Sequence, residues 1–523
     1  MPEDEQTRAD LAEAFRRRSL TRDESRAEVV AARHASGRRT ARENLADLCD
    51  EGSFVEYGGL AIAAQRGRRT VEDLVHRTPA DGLIAGTARV NSGLVGAERA
   101  HCAVLSYDYT VLAGTQGVMG HRKKDRLFEI IERRRLPVVL FAEGGGGRPG
   151  DTDQAMVAGL DVMAFALWAR LSGLVPRIGV ASGRCFAGNA ALLGCSDLVI
   201  ATPDASIGMG GPAMIEGGGL GVVDADKVGP SDVQVKNGVI DIAATDEADA
   251  VRLAQQALSY FQGPVTGWEA PDQRPLRAVV PENRRRAYDA HRAVEIIADT
   301  GSSLELRPRF GRGMVTVLAR IEGRPVGIVA NNPMHLAGAI TSDCGDKAAR
   351  FLQLCEAFRL PVLFLCDTPG IMVGPDAETT ALVRHASRMF LAGAALTVPF
   401  MTVVLRKGYG LGAQAMAGGS FRAPLMTVAW PTGEFGGMGL EGAVKLAYRK
   451  ELDSIEDAGA RRAQFDAMVA DAYERGTALN TATYFEIDDV VDPAETRALV
   501  AAVILQPDAT LPKRPTRRYV DSW

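Results

Sequence analysis

Short unbroken apolar runs recur along the chain, among them PVVLFA, RIGVAS, DLVIAT, VGIVAN, PVLFLC and MTVVLR. They do not alternate with polar residues, which is the pattern of strands buried on both faces of a mostly parallel sheet. The segments between them carry helical spacing instead. Leu127, Ile130 and Ile131 stand at i, i+3 and i+4, and so do Phe351, Leu354 and Cys355, which predicts helices packed on one face. Each of these helices runs into Arg-Leu-Pro and then a strand: RLPVVLFAEGGGG spans Arg135 to Gly147, and RLPVLFLCDTPG spans Arg359 to Gly370. The same offset of 224 residues aligns Leu112, Ala113 and Gly114 with Leu336, Ala337 and Gly338, Lys123 with Lys347, and Glu132 with Glu356. A period this long is a duplicated domain, not a solenoid.

The predicted organisation is a solvated helical arm over residues 1–49, a first domain over 50–265, a linker over 266–284 and a second domain over 285–523. The linker assignment rests on QGPVTGWEAPDQRPLRAVVPENRRR, rich in proline and charge and without periodicity. In the arm, Leu11, Ala14 and Phe15 give one narrow apolar face. The length of 523 residues suits two cores. A hydrophobic fraction of 46% with a net charge of only −5 leaves no basic footprint for nucleic acid. No stretch approaches the ~20 apolar residues of a membrane span, and the charged start MPEDEQTRADLAEAFRRR does not read as a signal peptide, so a cytoplasmic protein is expected. The seven cysteines lie without CxxC or His pairing and read as buried reduced thiols, with no metal site in the chain.

The candidate chemistry lies in the glycines. Gly144, Gly145, Gly146 and Gly147 follow a buried strand where the chain leaves the sheet's carboxyl edge, so backbone N–H groups can meet a ligand at close range. The second half has glycines at a comparable strand exit, GYGLGAQAMAGGS, where a helix starting near Leu411 or Gly412 would aim unpaired N–H groups at an oxygen. Two backbone donors per half make two oxyanion holes. GGGRPGD lacks the Lys and Ser/Thr of a phosphate loop, and no GxSxG elbow exists. His121, beside Arg122, Lys123 and Lys124, reads as surface charge.

TARENLADLCDEGSFVE, PADGLIAGTARV, LAGTQGVMGHRKKDRLFEI, LAGAITSDCGDKAARFLQLCEAFRLPVLFLCDTPGIMVG, RKGYGLGAQAMAG, AWPTGEFGGMGLEGAV and FEIDDVVDPAETR together resemble the carboxyltransferase (beta) subunit of biotin-dependent acyl-CoA carboxylases, of the crotonase superfamily. The resemblance implies an α/β fold of two tandem ClpP/crotonase domains, mostly parallel sheets flanked by helices. It implies transfer of the carboxyl group from carboxybiotin to the α carbon of an acyl-CoA, through an enolate held in an oxyanion hole. The first domain would hold the acyl-CoA and the second the biotin, the site forming between the first domain of one subunit and the second of another. By motif position, Gly145 and Gly146 would hold the thioester oxygen, with Gly144, Gly147, Arg148, Lys123 and Gln414 near the substrate. Leu411 and Gly412 would hold the ureido oxygen of biotin, with Tyr409 and Gly410 beside it.

The implied partners are a biotin carboxylase and a biotin carboxyl carrier, separate or fused, and further copies of the chain in a homodimer or a homohexamer built as a trimer of dimers. A decarboxylase or transcarboxylase subunit, and a noncatalytic assembly subunit, stay open as alternatives. Three departures from the family pattern stand out, the first two bearing on substrate choice. The first loop runs Gly147, Arg148, Pro149, Gly150, Asp151 where Ala-Arg-Ile-Gln-Glu-Gly is common, Gln414 stands where propionyl-type enzymes have Asp, and Glu143 stands where relatives often have Asp. For Glu143 a structural role in the turn is preferred to acid/base work.

Overall fold

The structure is a computed structural model that describes residues 8–153, 159–506 and 519–523. The chain divides into two compact units, meeting in sequence at Gln262 and Gly263. Each is described in turn.

The first unit opens with three helices, α1 (Ala9–Ser19), α2 (Ala27–Ala35) and α3 (Ala41–Leu48). Neither α1 nor α2 buries a residue, whereas α3 buries Leu45 and Leu48 and is closed by a capping box between Thr40 and Glu43. A seven-stranded sheet follows in chain order: β1 (Val55–Glu56), β2 (Leu83–Arg89), β3 (His101–Tyr107), β4 (Val138–Phe141), β5 (Arg177–Ala181), β6 (Leu198–Ala201) and β7 (Ile242–Ala243). The first two pairings are antiparallel and the other four parallel. Beside it, Arg184–Phe186 pairs with Ser206–Gly208 as a small separate sheet.

The second unit repeats this plan. Strands β8 (Leu304–Glu305), β9 (Met314–Ile321), β10 (Arg324–Asn331), β11 (Val362–Thr368), β12 (Phe400–Tyr409), β13 (Met426–Ala429) and β14 (Asp489–Val490) again lie in chain order. Two antiparallel pairings come first and parallel ones follow. One difference has a local cause. Gly183, with φ +65°, breaks β5 from Arg184–Phe186, whereas at the corresponding place β12 runs unbroken for ten residues and takes Glu434–Gly436 as a further partner.

The repeated Arg-Leu-Pro is a helix stop joined to a strand start. Helices α4 (Val118–Arg134) and α6 (Ser342–Phe358) each end on an arginine in the left-handed conformation, Arg135 at φ 55° and Arg359 at φ 60°. Leucine and proline then lead into β4 and β11. Helix α5 (Gly188–Gly194) and helix α7 (Gly410–Ala415) follow Arg184–Phe186 and β12. The core of the first unit gathers Leu105, Leu127, Ile131, Val138, Leu140 and Trp168; that of the second gathers Val317, Ile328, Leu363, Leu365, Val403 and Trp430.

The stretch expected to be a linker is packed instead. Leu276 and Val280 are buried in the core of the second unit, joined by the nearby Tyr288, because proline and charge at the surface conceal apolar side chains that dock inward. All seven cysteines are free, with Cys49 partly exposed and Cys195 exposed. Among the described residues no helix is long and apolar enough to cross a membrane.

Candidate active site

After β4 the chain reaches the four glycines, and neighbouring strands dictate which of their amides are spent. Gly144 bridges Cys185, its N–H donating to the Arg184 carbonyl at 2.7 Å and its carbonyl accepting from Phe186 N–H at 3.0 Å. Gly145 N–H donates to the Ala113 carbonyl at 3.1 Å, and Gly146 N–H to Asn189 Oδ1 at 3.2 Å. Gly147 forms a parallel bridge with Gln116: Gln116 N–H reaches Gly146 O at 2.7 Å, and Arg148 N–H reaches Gln116 O at 3.0 Å. In such a bridge the central residue points its own N–H away from its partner. Gly147 N–H therefore takes no partner among the described residues and borders a cavity of about 800 Å³. Gly188, first residue of α5, lines the same cavity, and its N–H is one of the helix-start donors without an internal acceptor.

The second unit repeats the arrangement. Ile371 bridges Ile340, with Ile340 N–H donating to Gly370 O at 3.1 Å and Met372 N–H to Ile340 O at 2.9 Å. That leaves the Ile371 N–H, 224 residues on from Gly147, without a partner among the described residues. The first turn of α7 presents the Leu411 and Gly412 amides in the same condition. Helix and loop are in close contact: a Cβ added at Gly412 would lie 2.6 Å from Gly370 Cα and 3.0 Å from Ile371 N. Gly410, at φ 55°, could not carry one either, since it would lie 2.8 Å from Gly437 O.

Several side chains stand elsewhere than the sequence suggested. Lys123 is buried, not facing substrate. Its Nζ donates to the Ala80 carbonyl at 2.9 Å and to that of Leu83, and burial pulls its pKa down to about 8. Lys124 is fully buried too, so neither lysine belongs to a solvated phosphate-binding face. Arg148 lines the cavity, but its buried guanidinium is already spent: it pairs with Asp81 and reaches the Thr115 carbonyl at 2.9 Å, clamping the loop. His121, expected at the surface, lines the cavity against Phe165. Burial, helped by Lys124 and Arg148, lowers its pKa to about 3, so its imidazole is neutral.

Glu143 is held by Arg33, at 2.5 and 3.1 Å, with Arg38 at 3.5 Å, which agrees with the structural role preferred for it; burial raises its carboxyl pKa above the ordinary value. Tyr409 is buried and donates to Glu434 Oε2 at 2.7 Å, tying the end of β12 to Glu434–Gly436. Gln414 is exposed on α7.

Two duplicated α/β halves of crotonase type, together with the relatives that share them, mark the chain as an acyl-CoA carboxyltransferase component. The chain belongs to the carboxyl transferase domain family, whose model matches residues 32–518.

It is 32% identical over 504 residues to the methylmalonyl-CoA carboxyltransferase 12S subunit of Propionibacterium freudenreichii subsp. shermanii, covering 94% of this chain and 92% of that one. It is likewise 32% identical to the biotin-dependent long chain acyl-coenzyme A carboxylase beta4 subunit of Mycobacterium tuberculosis, with the same coverage. Among solved structures, a single-chain, multi-domain long-chain acyl-CoA carboxylase is 61% identical with a TM-score of 0.90. The match covers 95% of this chain but only 49% of that one, so the chain spans about half the length of that relative. The transcarboxylase 12S crystal structure, described as a hexamer assembly with methylmalonyl-coenzyme A bound, gives a TM-score of 0.82 at 28% identity over 98% of this chain.

Proposed function

We propose that the first unit binds an acyl-CoA with its thioester oxygen on the Gly147 and Gly188 amides, and that Ile371, Leu411 and Gly412 form the matching hole for the ureido oxygen of biotin. The carrying observation is the recurrence, in both halves, of unpartnered amides at equivalent loop and helix-start positions. The motif alone pointed to Gly145 and Gly146. Their amides already have acceptors, so the assignment moves to the neighbouring Gly147 and across to Gly188.

The second unit fits biotin because its donors are fixed main-chain N–H groups suited to a urea oxygen that gains charge. When bound there, biotin supplies the carboxyl group and the base for the α proton. In the first unit, Gly147 and Gly188 stabilise the oxygen of the acyl-CoA enolate, each donor contributing about 3 kcal/mol at the transition state. Val118, Val162, Met163 and Phe165 give the cavity an apolar lining beside the proposed thioester donors.

The 61% identity to a long-chain acyl-CoA carboxylase supports a long-chain acyl-CoA as substrate. The same match, spanning half of a multi-domain chain, supports a biotin carboxylase and a biotin carrier as partners that supply the carboxyl group. We assign the working site to the first half of one copy and the second half of another. The relative named a methylmalonyl-CoA carboxyltransferase favours a second reading, transfer between two acyl-CoA molecules, which uses the same donors.

The test supplies the purified chain with a biotinylated carrier and a panel of carboxylated acyl-CoA thioesters of increasing length, and follows carrier-dependent loss of the carboxyl group. Long-chain thioesters are expected to react fastest. A folded chain that turns over none of them would overturn the proposal.

A further inference from the structure

Under the acyl-side loop lies a buried polar chain that the second unit lacks. Lys124, with no solvent exposure, places Nζ on Gln116 Oε1, between the rings of Tyr107 and Phe165 at 5.7 and 5.8 Å. Gln116 Nε2 donates to Asn189 Oδ1 at 3.2 Å. The same Oδ1 accepts Gly146 N–H, while Asn189 Nδ2 donates to the Gly114 carbonyl at 3.3 Å. At the corresponding places the second unit has Ala348, Ile340 and Gly412. The fold therefore does not require a polar chain here, and burying an amine without need is costly.

We propose that Lys124 is a positioning residue for the acyl-side hole, acting through Gln116 and Asn189. Burial pulls the Lys124 pKa down to about 7; in its ammonium form the lysine carries donors only, and it then fixes Gln116 with its oxygen toward Lys124 and its NH2 toward Asn189. Asn189 must then offer Oδ1 to that NH2, and the same oxygen secures Gly146 N–H. Pinning Gly146 fixes the direction of the next amide, Gly147. Without the lysine both side-chain amides can turn over, and an Asn189 NH2 facing the Gly146 N–H pushes the loop away. The inference rests on reading Gly147 and Gly188 as the thioester donors.

Two full-length variants test it. Lys124→Met removes the charge. Gln116→Glu keeps an acceptor on Lys124 but deletes the donor to Asn189, so burial and packing persist while the direction is lost. Both are expected to lower kcat about tenfold with KM within about twofold, and Gln116→Glu to keep the parent's thermal midpoint. A Gln116→Glu chain with the parent's kcat, or losses confined to KM, would overturn the proposal. Crystal structures of the variants provide a readout independent of turnover. Gly146 N–H is expected to leave Asn189 Oδ1, and an unmoved Gly144–Gly147 loop in both variants refutes the role even if the parent transfers no carboxyl group. Inactivity of the parent with every thioester refutes the reading of the site instead.

Discussion

At the scale of single residues, unusual backbone angles mark where the duplication is under strain. Leu112 and Ala113 have φ of 50° and 55°, and their counterparts Leu336 and Ala337 have 47° and 54°. Ala187, just before the proposed hole residue Gly188, sits at φ 49° and ψ −118°, while its counterpart Gly410 is a glycine. Alanine is poorly suited to that region. Ala187→Gly is expected to raise stability by about 1 kcal/mol, seen as a higher urea midpoint at unchanged slope. An unchanged or lower midpoint would show that the surrounding loop already compensates.

Such detail was only partly legible beforehand. The glycines announced backbone donors, but which amides stay free depends on bridges from Gln116 and Ile340, residues distant in sequence from the loops they pair with. The buried lysines left a signal that a charge-based reading passes over: Lys123 precedes Leu127 by four residues and Lys124 precedes Phe128 by four, placing both on the packed stripe of α4.

Among the elements, the loop that departs from the family pattern is a latch between two others. Arg148 pairs with Asp81, Asp151 Oδ2 accepts the first amide of α4 from Val118 at 2.9 Å, and Thr152 and Asp153 N–H groups bond Ala64 O at 2.7 and 3.0 Å. The sequence suggested that this loop alters the substrate; its structure shows it fastening α4 to the segment before it. Arg148→Met leaves the fully buried Asp81 carboxylate with the Gly120 N–H but without its guanidinium partner. The expected loss is about 3–5 kcal/mol in chemical denaturation, and a change below 1 kcal/mol would argue against the clamp. The apolar strands and helix spacing were readable because burial writes itself into composition. The segment taken for a linker was not, since a few anchors such as Leu276 among prolines and arginines carry no period.

Considered whole, the molecule is one plan executed twice, with seven strands in the same order and sense and with unpartnered amides at the same two places in each copy. The proposed division of labour between copies of the chain predicts complementation. Gly146→Ala pushes a Cβ to 2.6 Å from that of Ala187 and spoils the acyl-side loop; Gly412→Ala pushes one to 2.6 Å from Gly370 Cα and spoils the biotin-side start of α7. Each variant alone is expected to be nearly inactive. Subunits exchanged at random between them should regain about a quarter of the parent's rate, because half the dimers are mixed and one of their two sites is intact. No recovery after verified exchange would place both holes of a working site in one chain.

Because the donors proposed for the reacting oxygens belong to the chain itself, not to its side groups, both loops can drift a long way in spelling while those donors stay put. Divergence in those stretches is consequently a poor sign of a dead homologue; a chain that has lost the bend, however familiar its letters, is the better candidate.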